Sequence, residues 1–299
     1  MKEDNTPHRL NPVDAGPRPP FSAQREKGAV ESTDSLEPAP DHGEKSYMGR
    51  GRLKGCVALV VGGDSGIGRA ISLAYAREGA DVAFTYHQHE SDARTTADLL
   101  CDHEGTRHRI YQLDQSNKED CQEVIEQVIR DLGRLDILVN NAGFQKTYQD
   151  LNEIEVEEFE ATFQTNVFGT FYLSRFALDR MESGGCIINT SSIQAFDPSA
   201  YLLPYAASKA AIANMTKSLA VFAADRGVRV NAVAPGPVWT PLIPATMPAS
   251  KVENFGSNTL LGRPAQPIEI ASVYVFLASP EARYVSGEVY PITGGRQQM

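Results

Sequence analysis

The stretch that decides the fold reads VGGDSGIG at residues 61–68, and RAI follows it at residues 69–71. An apolar, β-branched run, Cys56–Val61, leads into this stretch, and a segment with helical periodicity follows it. Glycines at 62, 66 and 68 permit a tight turn and a close approach of the backbone to a pyrophosphate, to which the start of a helix offers free N–H groups. Glycines also serve plain turns, so the pattern alone is weak evidence. Its position between a strand and a helix favours dinucleotide binding.

The same alternation of strand and helix continues through the rest of the chain. The segment Val124–Leu132 has helical spacing, with apolar residues at 124, 125, 128, 129 and 132. Strands that alternate with helices form a parallel sheet with helices on both faces. We therefore predict one doubly wound α/β domain over residues 51–299, built on a seven-stranded parallel sheet. The predicted strands are Cys56–Val61, Asp81–Tyr86, His108–Leu113, Asp136–Asn140, Cys186–Thr190, Arg229–Ala234 and Glu288–Ile292.

Residues 1–50 differ in composition from the rest of the chain. Prolines recur there, charges are mixed and apolar residues are isolated, so the segment cannot offset its ordering entropy by burying its own surface. Two interpretations stay open. The segment is either a disordered tail or an extended arm that docks on the domain or on a neighbouring subunit through Phe21, Tyr47 and Met48.

Composition argues against several classes of protein. The 299 residues carry a net charge of -10 without a basic cluster, so we do not expect a nucleic-acid partner, which requires a concentrated positive surface. No apolar run reaches the ~18 residues that span a bilayer, and the N-terminus has no apolar signal segment, which predicts a soluble, cytoplasmic protein without a membrane partner. The four cysteines and six histidines show no metal-ligand spacing, so we expect neither a metal site nor a disulfide framework.

Polar residues that could carry chemistry follow the fourth and fifth predicted strands. NNAG at residues 140–143 follows the fourth strand, and Ser192 follows the fifth. Tyr205 and Lys209 are four residues apart in YAASK, so they share one face of a helix. An unperturbed tyrosine has a pKa of about 10, and an adjacent ammonium favours the phenolate. Lys209 is therefore expected to bring the pKa of Tyr205 closer to the range of a general acid/base.

The motifs taken together resemble the short-chain dehydrogenase/reductase family. That family has G-x-x-x-G-x-G, N-N-A-G and Y-x-x-x-K in this order, with a serine at this interval before the tyrosine. It also has a helix asparagine, here Asn166 in TNVFG, and a loop after the sixth strand similar to PGPVWT at residues 235–240. The resemblance covers residues 53–295. The extension, with PPF at residues 19–21 and PDHGE at residues 40–44, is similar to that of a bacterial general-stress subgroup.

The resemblance implies a Rossmann-type fold and an NAD(P)(H)-dependent oxidoreductase that moves hydride between the nicotinamide and a carbonyl or secondary alcohol. In such an enzyme Tyr205 is the general acid/base, and Ser192 bonds the substrate oxygen. Lys209 also bonds the nicotinamide ribose, and Asn166 holds a water that links this lysine to solvent. The substrate stays open between aldehydes, ketones and sugar-derived compounds. Val61 stands where many members of the family have threonine, so the glycine loop is expected to be held slightly differently.

The resemblance also implies the cofactor contacts. Asp114, at the end of the third predicted strand, is expected to meet the adenine amino group. The second strand is followed by no acid until Glu90, which favours NADP(H) over NAD(H). The preference is slight, because Ser65 stands where a basic residue often precedes the second glycine. The predicted cofactor-binding residues are Gly62, Asp64, Ser65, Gly66, Ile67, Gly68, Tyr86, Asp114, Gln115, Asn141, Ala142, Gly143, Tyr205, Lys209, Pro235, Gly236, Val238 and Thr240.

The sequence also permits two functions other than catalysis. A non-catalytic regulator could bind a nicotinamide cofactor on this fold, although it has no use for an acid/base set. A scaffolding protein could be built around the extension. The resemblance implies a homotetramer that forms through the helix carrying Tyr205 and the helix before it. The proline-rich segment at residues 241–267 is expected to close over a small-molecule substrate. Four apolar residues either line its pocket or only pack it onto the domain: Trp239, Leu242, Ile243 and Met247.

Overall fold

Seven parallel strands form the centre of the molecule, and the predicted α/β fold class is confirmed. The computed structural model describes residues 11–22, 32–101 and 105–296. The strands lie in the order β3-β2-β1-β4-β5-β6-β7, and every neighbouring pair is parallel. No strand end differs from the predicted end by more than one residue. The strands are β1 (Val57–Val61), β2 (Asp81–Tyr86), β3 (His108–Gln112), β4 (Ile137–Asn140), β5 (Cys186–Thr190), β6 (Arg229–Pro235) and β7 (Val289–Ile292).

Helices cover both faces of the sheet. Helices α1, α2 and α9 share one apolar cluster, while α3, α5 and α6 share the other. Strand β1 supplies Ala58 and Val60 to the first cluster, and Val57, Leu59 and Val61 to the second. Successive side chains of a strand point to opposite faces, so a strand covered on both sides is apolar throughout. The helices are α1 (Gly66–Arg77), α2 (Glu90–Cys101), α3 (Lys118–Leu132), α4 (Val156–Phe163), α5 (Gly169–Arg180), α6 (Leu203–Ala224), α7 (Leu242–Thr246), α8 (Ala249–Glu253) and α9 (Pro267–Ala278).

The strand order reverses beside β1, and this reversal positions the site. Chain connections from β1 lead to β2 on one side, whereas β4 lies on the other side. At such a switch point the loops that follow neighbouring strands diverge to opposite faces and leave a crevice at the carboxyl ends. The glycine loop at residues 62–65 and the NNAG loop after β4 border this crevice.

The described part of the N-terminal extension lies against the domain. Phe21 is only 6% exposed and contacts Trp239, while the hydroxyl of Tyr47 bonds Glu78 at 2.5 Å. The guanidinium of Arg263 donates to the carbonyl of Pro12 through Nε and Nη2, at 3.0 and 2.8 Å. Met48 is 85% exposed, so it is not one of the buried residues through which the extension contacts the domain. Residues 1–10 and 23–31, which belong to the predicted arm, lie outside the described residues.

No helix in the described part of the chain is long and apolar enough to cross a membrane. Within the same ranges, no group of three or more histidine, cysteine or acidic side chains is arranged to hold a metal ion.

Candidate active site

A cavity of about 760 Å³ opens at the carboxyl ends of the central strands. It is lined by the glycine loop, the NNAG loop, the end of β5, the start of α6 and the loop after β6. The structure therefore brings together most of the predicted site residues. Those that line the cavity are Gly62, Asp64, Ser65, Gly66, Ile67, Asn141, Ala142, Gly143, Ser192, Tyr205, Lys209, Pro235, Gly236, Val238 and Thr240.

The glycine loop has no room for side chains at its key positions. Gly62 and Gly66 have φ of 73° and 51°, in the left-handed region that favours glycine. A Cβ on Gly68 would lie 1.8 Å from the carbonyl oxygen of Gly62, so the first turn of α1 packs directly on the loop. Gly66 and Ile67 at this helix start line the cavity. The free N–H groups of a helix start suit the pyrophosphate of a dinucleotide. Gly62 N also donates to Thr85 Oγ1 at 3.0 Å, so a hydroxyl from β2 holds the loop that begins after Val61.

Asp64 is the buried acid of the glycine loop. Its backbone carbonyl accepts hydrogen bonds from Arg69 Nε at 3.0 Å and from Thr96 Oγ1 at 2.8 Å, which fix the loop to α1 and α2. Burial raises the pKa of the Asp64 carboxyl to about 6, and the negative charge of Asp92 adds to this rise. Asp64 is therefore partly protonated near neutral pH.

Strand β5 and helix α6 present the predicted catalytic side chains to the cavity. Ser192 follows β5 and caps a short turn, where its Oγ accepts from Gln194 N at 3.2 Å. Lys209 Nζ donates to the carbonyl of Thr190 at 2.8 Å and lies 5.5 Å from the ring centroid of Tyr205. Ser191 Oγ donates to the carbonyl of Lys209 at 2.9 Å, which ties the helix to the strand.

Burial shifts the pKa of Tyr205 and the pKa of Lys209. It raises the pKa of Tyr205 above 10.0, although a hydrogen bond with Ser192 acts in the opposite direction. It lowers the pKa of Lys209 from 10.5 to about 8. The expectation that the ammonium lowers the pKa of Tyr205 is wrong for the protein as it stands. Desolvation of the phenolate sets the direction of the shift, and the Lys209 ammonium donates to the carbonyl of Thr190.

Asn166 supports the site from behind the cavity wall. It lies in a π-helical segment, Gln164–Phe168, between α4 and α5, and it is fully buried. Its Oδ1 accepts from Phe144 N at 2.7 Å, while its Nδ2 donates to Phe144 O at 2.9 Å and to Ser208 Oγ at 3.0 Å. The side chain thus fixes the loop after Gly143 to helix α6. The predicted water that links it to Lys209 stays a prediction.

The comparisons with known proteins agree with this geometry. Residues 61–297 match the family described as enoyl-(acyl carrier protein) reductase. The chain is 44% identical to General stress protein 39 of Bacillus subtilis, over 92% of this chain and 96% of that protein. It is 43% identical to the chloroplastic NADPH-dependent aldehyde reductase 1 of Arabidopsis thaliana, over 87% of this chain and 92% of that protein.

A solved structure that combines this fold with a cofactor decides the family. A short-chain dehydrogenase from Burkholderia cenocepacia in complex with NADP superposes with a TM-score of 0.76 and 33% identity. The match covers 82% of this chain and 98% of that one. The chain belongs to the short-chain dehydrogenase/reductase family. It is a nicotinamide-dependent oxidoreductase.

Four predicted cofactor residues do not line the main cavity, namely Gly68, Tyr86, Asp114 and Gln115. Asp114 lines a separate cavity of about 360 Å³ beside His87, and its carboxylate accepts from Ser116 N at 2.9 Å. The hydrogen bonds from Ser116 lower the pKa of Asp114. Gln115 is buried, and its Nε2 donates to the carbonyl of Ala142 at 3.3 Å and to that of Thr165 at 3.0 Å, so it supports the NNAG loop from behind. Tyr86, the last residue of β2, packs against the first apolar cluster.

Sequence reasoning missed two residues that hold Lys209 and the loops around the cavity. Thr190 accepts the Lys209 ammonium through its backbone carbonyl, and its hydroxyl bonds Tyr274 at 2.7 Å. Gln145 lines the cavity, and its Nε2 donates to Thr246 Oγ1 at 2.7 Å. The position of Thr190 at the end of a parallel strand could have indicated the first contact. Nothing in the sequence around residue 145 indicates the second, because its partner is 101 residues away.

The segment after β6 lines the end of the cavity at which the sequence predicts substrate binding. Leu242, Ile243 and Met247 line the cavity, as the pocket interpretation predicts. Trp239 is fully buried and does not line it, so this residue packs the segment onto the domain. Polar side chains also line this end, namely Gln194, Lys251, Asn254, Asn258 and Arg296.

Proposed function

We propose that this dehydrogenase reduces an aldehyde or ketone with NADPH, or oxidises the matching alcohol with NADP, and that Tyr205 is its general acid/base. The observation that carries the proposal is the shared cavity, where the glycine loop and the hydroxyls of Ser192 and Tyr205 face the same space. A protein that only binds a cofactor has no use for this pair of hydroxyls beside a buried lysine.

The chain's own residues supply proton transfer and orientation. A bound reduced nicotinamide supplies the hydride. Ser192 and Tyr205 both bond the carbonyl oxygen of the substrate, and Tyr205 transfers its phenolic proton to that oxygen as hydride reaches the carbon. Lys209 stabilises the phenolate that results and bonds the nicotinamide ribose. Asn166 keeps the loop at Gly143 in place and holds the water that links Lys209 to solvent.

The glycine loop and the NNAG loop hold the cofactor in this proposal, together with residues 235–240 after β6. NADP(H) is the preferred cofactor, because β2 is followed by no carboxylate until Glu90 that would repel a 2'-phosphate. The NADPH-dependent reductase relative and the NADP complex of the Burkholderia dehydrogenase support this preference. Asp114 contacts the adenine amino group from the adjoining smaller cavity.

The substrate in this proposal is a small, polar carbonyl compound, such as a hydroxylated or sugar-derived aldehyde or ketone. Its end of the cavity combines apolar Ile243 and Met247 with polar Gln194, Asn254 and Asn258. Specific pockets typically pair an apolar lining with a few polar groups that fix orientation. Several amides around one cavity suit a substrate with more than one hydroxyl.

The substitution Tyr205→Phe tests the proposal, because it keeps the ring and removes the proton. Wild type and variant are assayed with NADPH and NADH against a panel of aldehydes, ketones, polyols and sugars. We expect kcat/KM of the variant to fall by about 100-fold or more, while its affinity for NADPH, measured by fluorescence titration, stays within about threefold. Tyr284→Phe is the control, because that side chain is fully exposed. Equal turnover by wild type and Tyr205→Phe contradicts the proposal.

A further inference from the structure

The N-terminal extension packs on the outer side of the segment that forms the substrate end of the cavity. We call residues 240–256, which include α7 and α8, the lid. Behind the lid, Phe21 and Leu36 from the extension share a buried apolar cluster with Trp239, Ile243 and Val252. Leu36 is buried as deeply as the core of the domain.

Specific contacts accompany this apolar packing. The ring centroids of Phe21 and Trp239 are 4.4 Å apart. Trp239 Nε1 donates to the carbonyl of Pro38 at 2.7 Å, which satisfies the indole N–H of a fully buried side chain. Phe21 N donates to the carbonyl of Glu253 at 2.8 Å, at the end of α8. The extension therefore contacts Trp239, immediately before the lid, and Glu253 at the end of its last helix.

The same stretch of the extension also reaches the support of the glycine loop. Thr33 N donates to Asp92 Oδ2 at 3.2 Å, and Ser32 Oγ donates to Asp92 Oδ1 at 3.4 Å. Asp92 pairs with Arg69 at 3.5 Å, where both side chains are buried. Arg69 in turn donates to the carbonyl of Asp64 through Nη2 at 2.8 Å. Residues 32–38 thus connect the cofactor side of the cavity with its substrate side.

Besides this packing, Gln145 and Thr147 of the domain hold the lid by hydrogen bonds to Thr246 at the end of α7, each at 2.7 Å. Helices α7 and α8 have five residues each, and isolated helices of that length are not stable in water. Ile243, Met247 and Phe255 face the cavity, and they also belong to or pack against the cluster that contains Phe21 and Leu36. A change in the outer packing therefore moves side chains that border the substrate.

We propose that Phe21 and residues 32–38 of the extension are positioning residues of the active site, which hold the lid at the distance from the cavity that substrate binding requires. The expected effect on KM rests on the proposed carbonyl-reductase function. The extension then acts on substrate affinity without contacting the substrate.

The test compares Phe21→Ala and Leu36→Ala with two matched controls in the full-length protein. Met48→Ala removes an exposed side chain of the same extension, and Leu36→Met keeps the buried volume. Hydrogen exchange of backbone amides is measured in the lid and in α3, which lies on the opposite face of the sheet. Steady-state kinetics are measured with NADPH and a carbonyl compound that wild type reduces.

We expect lid amides of Phe21→Ala and Leu36→Ala to exchange about tenfold faster or more, while α3 amides are unchanged. We expect KM for the carbonyl compound to rise about fivefold or more with kcat changed by less than about threefold. Met48→Ala and Leu36→Met should keep wild-type values. Unchanged lid exchange and unchanged KM in both alanine variants overturn the proposal.

Two further outcomes differ from those above. If both alanine variants unfold, α3 amides exchange faster as well, and the variant Trp239→Phe then tests the positioning role. That variant keeps an aromatic ring, but it removes the N–H that bonds Pro38 and part of the ring system that packs on Phe21. Faster lid exchange therefore supports the proposal, and unchanged exchange overturns it. If wild type reduces no carbonyl compound, the proposed function fails, but lid exchange still tests the positioning role.

Discussion

Burial shifts the pKa of two neighbouring side chains on α6 in opposite directions, and the two shifts together set the pH range in which carbonyl reduction is expected. The raised pKa of Tyr205 keeps its hydroxyl protonated at neutral pH, as a proton donor requires. The lowered pKa of Lys209 means that its ammonium is lost as pH rises through about 8. Loss of this charge removes the group that stabilises the phenolate formed when Tyr205 gives up its proton.

We therefore predict that reductive kcat/KM is level below pH ~7 and decreases as pH rises through the Lys209 pKa of about 8. The measurement is a pH profile of wild type and Lys209→Arg with NADPH. An arginine stays charged throughout this range, so the variant, although slower, should lose the decrease near that pH. A decrease at the same pH in both proteins would assign the titration to a group other than Lys209. Asp64 could not be that group, because its pKa of about 6 is too low.

At the scale of elements, the junction of β1 and α1 requires a glycine at position 68 because of close packing, and not because of a positive φ. A Cβ at position 68 meets the carbonyl of Gly62, so Gly68→Ala must open the glycine loop. We predict that this variant weakens NADPH binding by about tenfold or more, as measured by fluorescence titration, because displaced loop amides no longer meet the pyrophosphate.

The control for this prediction is a helix start that lines neither cavity. Ser279 caps the short helical turn Pro280–Ala282 after α9, where its Oγ accepts from Glu281 N at 3.3 Å. Ser279→Ala should lower the free energy of unfolding by about 1 kcal/mol without changing NADPH affinity. Equal losses of affinity in the two variants would mean that Gly68→Ala acts through general stability.

The same elements explain what the sequence could and could not predict. Strands such as β1 are buried on both faces. The apolar runs of these strands therefore located them to within one residue. The π-helical segment around Asn166 was not predicted, because one widened turn leaves no periodic signal. The raised pKa of Tyr205 and the turn of Asp114 toward Ser116 depend on burial and local hydrogen bonds. Spacing along the chain reports neither.

At the scale of the whole molecule, α5 and α6 carry apolar side chains that are exposed to solvent and do not belong to the buried core. Phe171 on α5 and Val221 and Phe222 on α6 are exposed, and Phe168 lies just before α5. Large exposed aromatic side chains on adjacent helices mark an interaction surface. These are the two helices through which the family resemblance implies assembly, and we propose that they join subunits of a homotetramer.

This proposal predicts that the full-length protein sediments as a tetramer at micromolar concentration. Phe222, which is 75% exposed in the single chain, becomes buried in such an interface. Phe222→Asp places an unpaired charge there, so we expect dissociation to dimers or monomers, with a monomer fold that is unchanged by circular dichroism. Met48→Asp carries the same charge on an exposed residue of the extension and should leave the tetramer intact. Wild type that sediments only as a monomer contradicts the proposal, and a tetramer that survives Phe222→Asp places the subunit contact on another face.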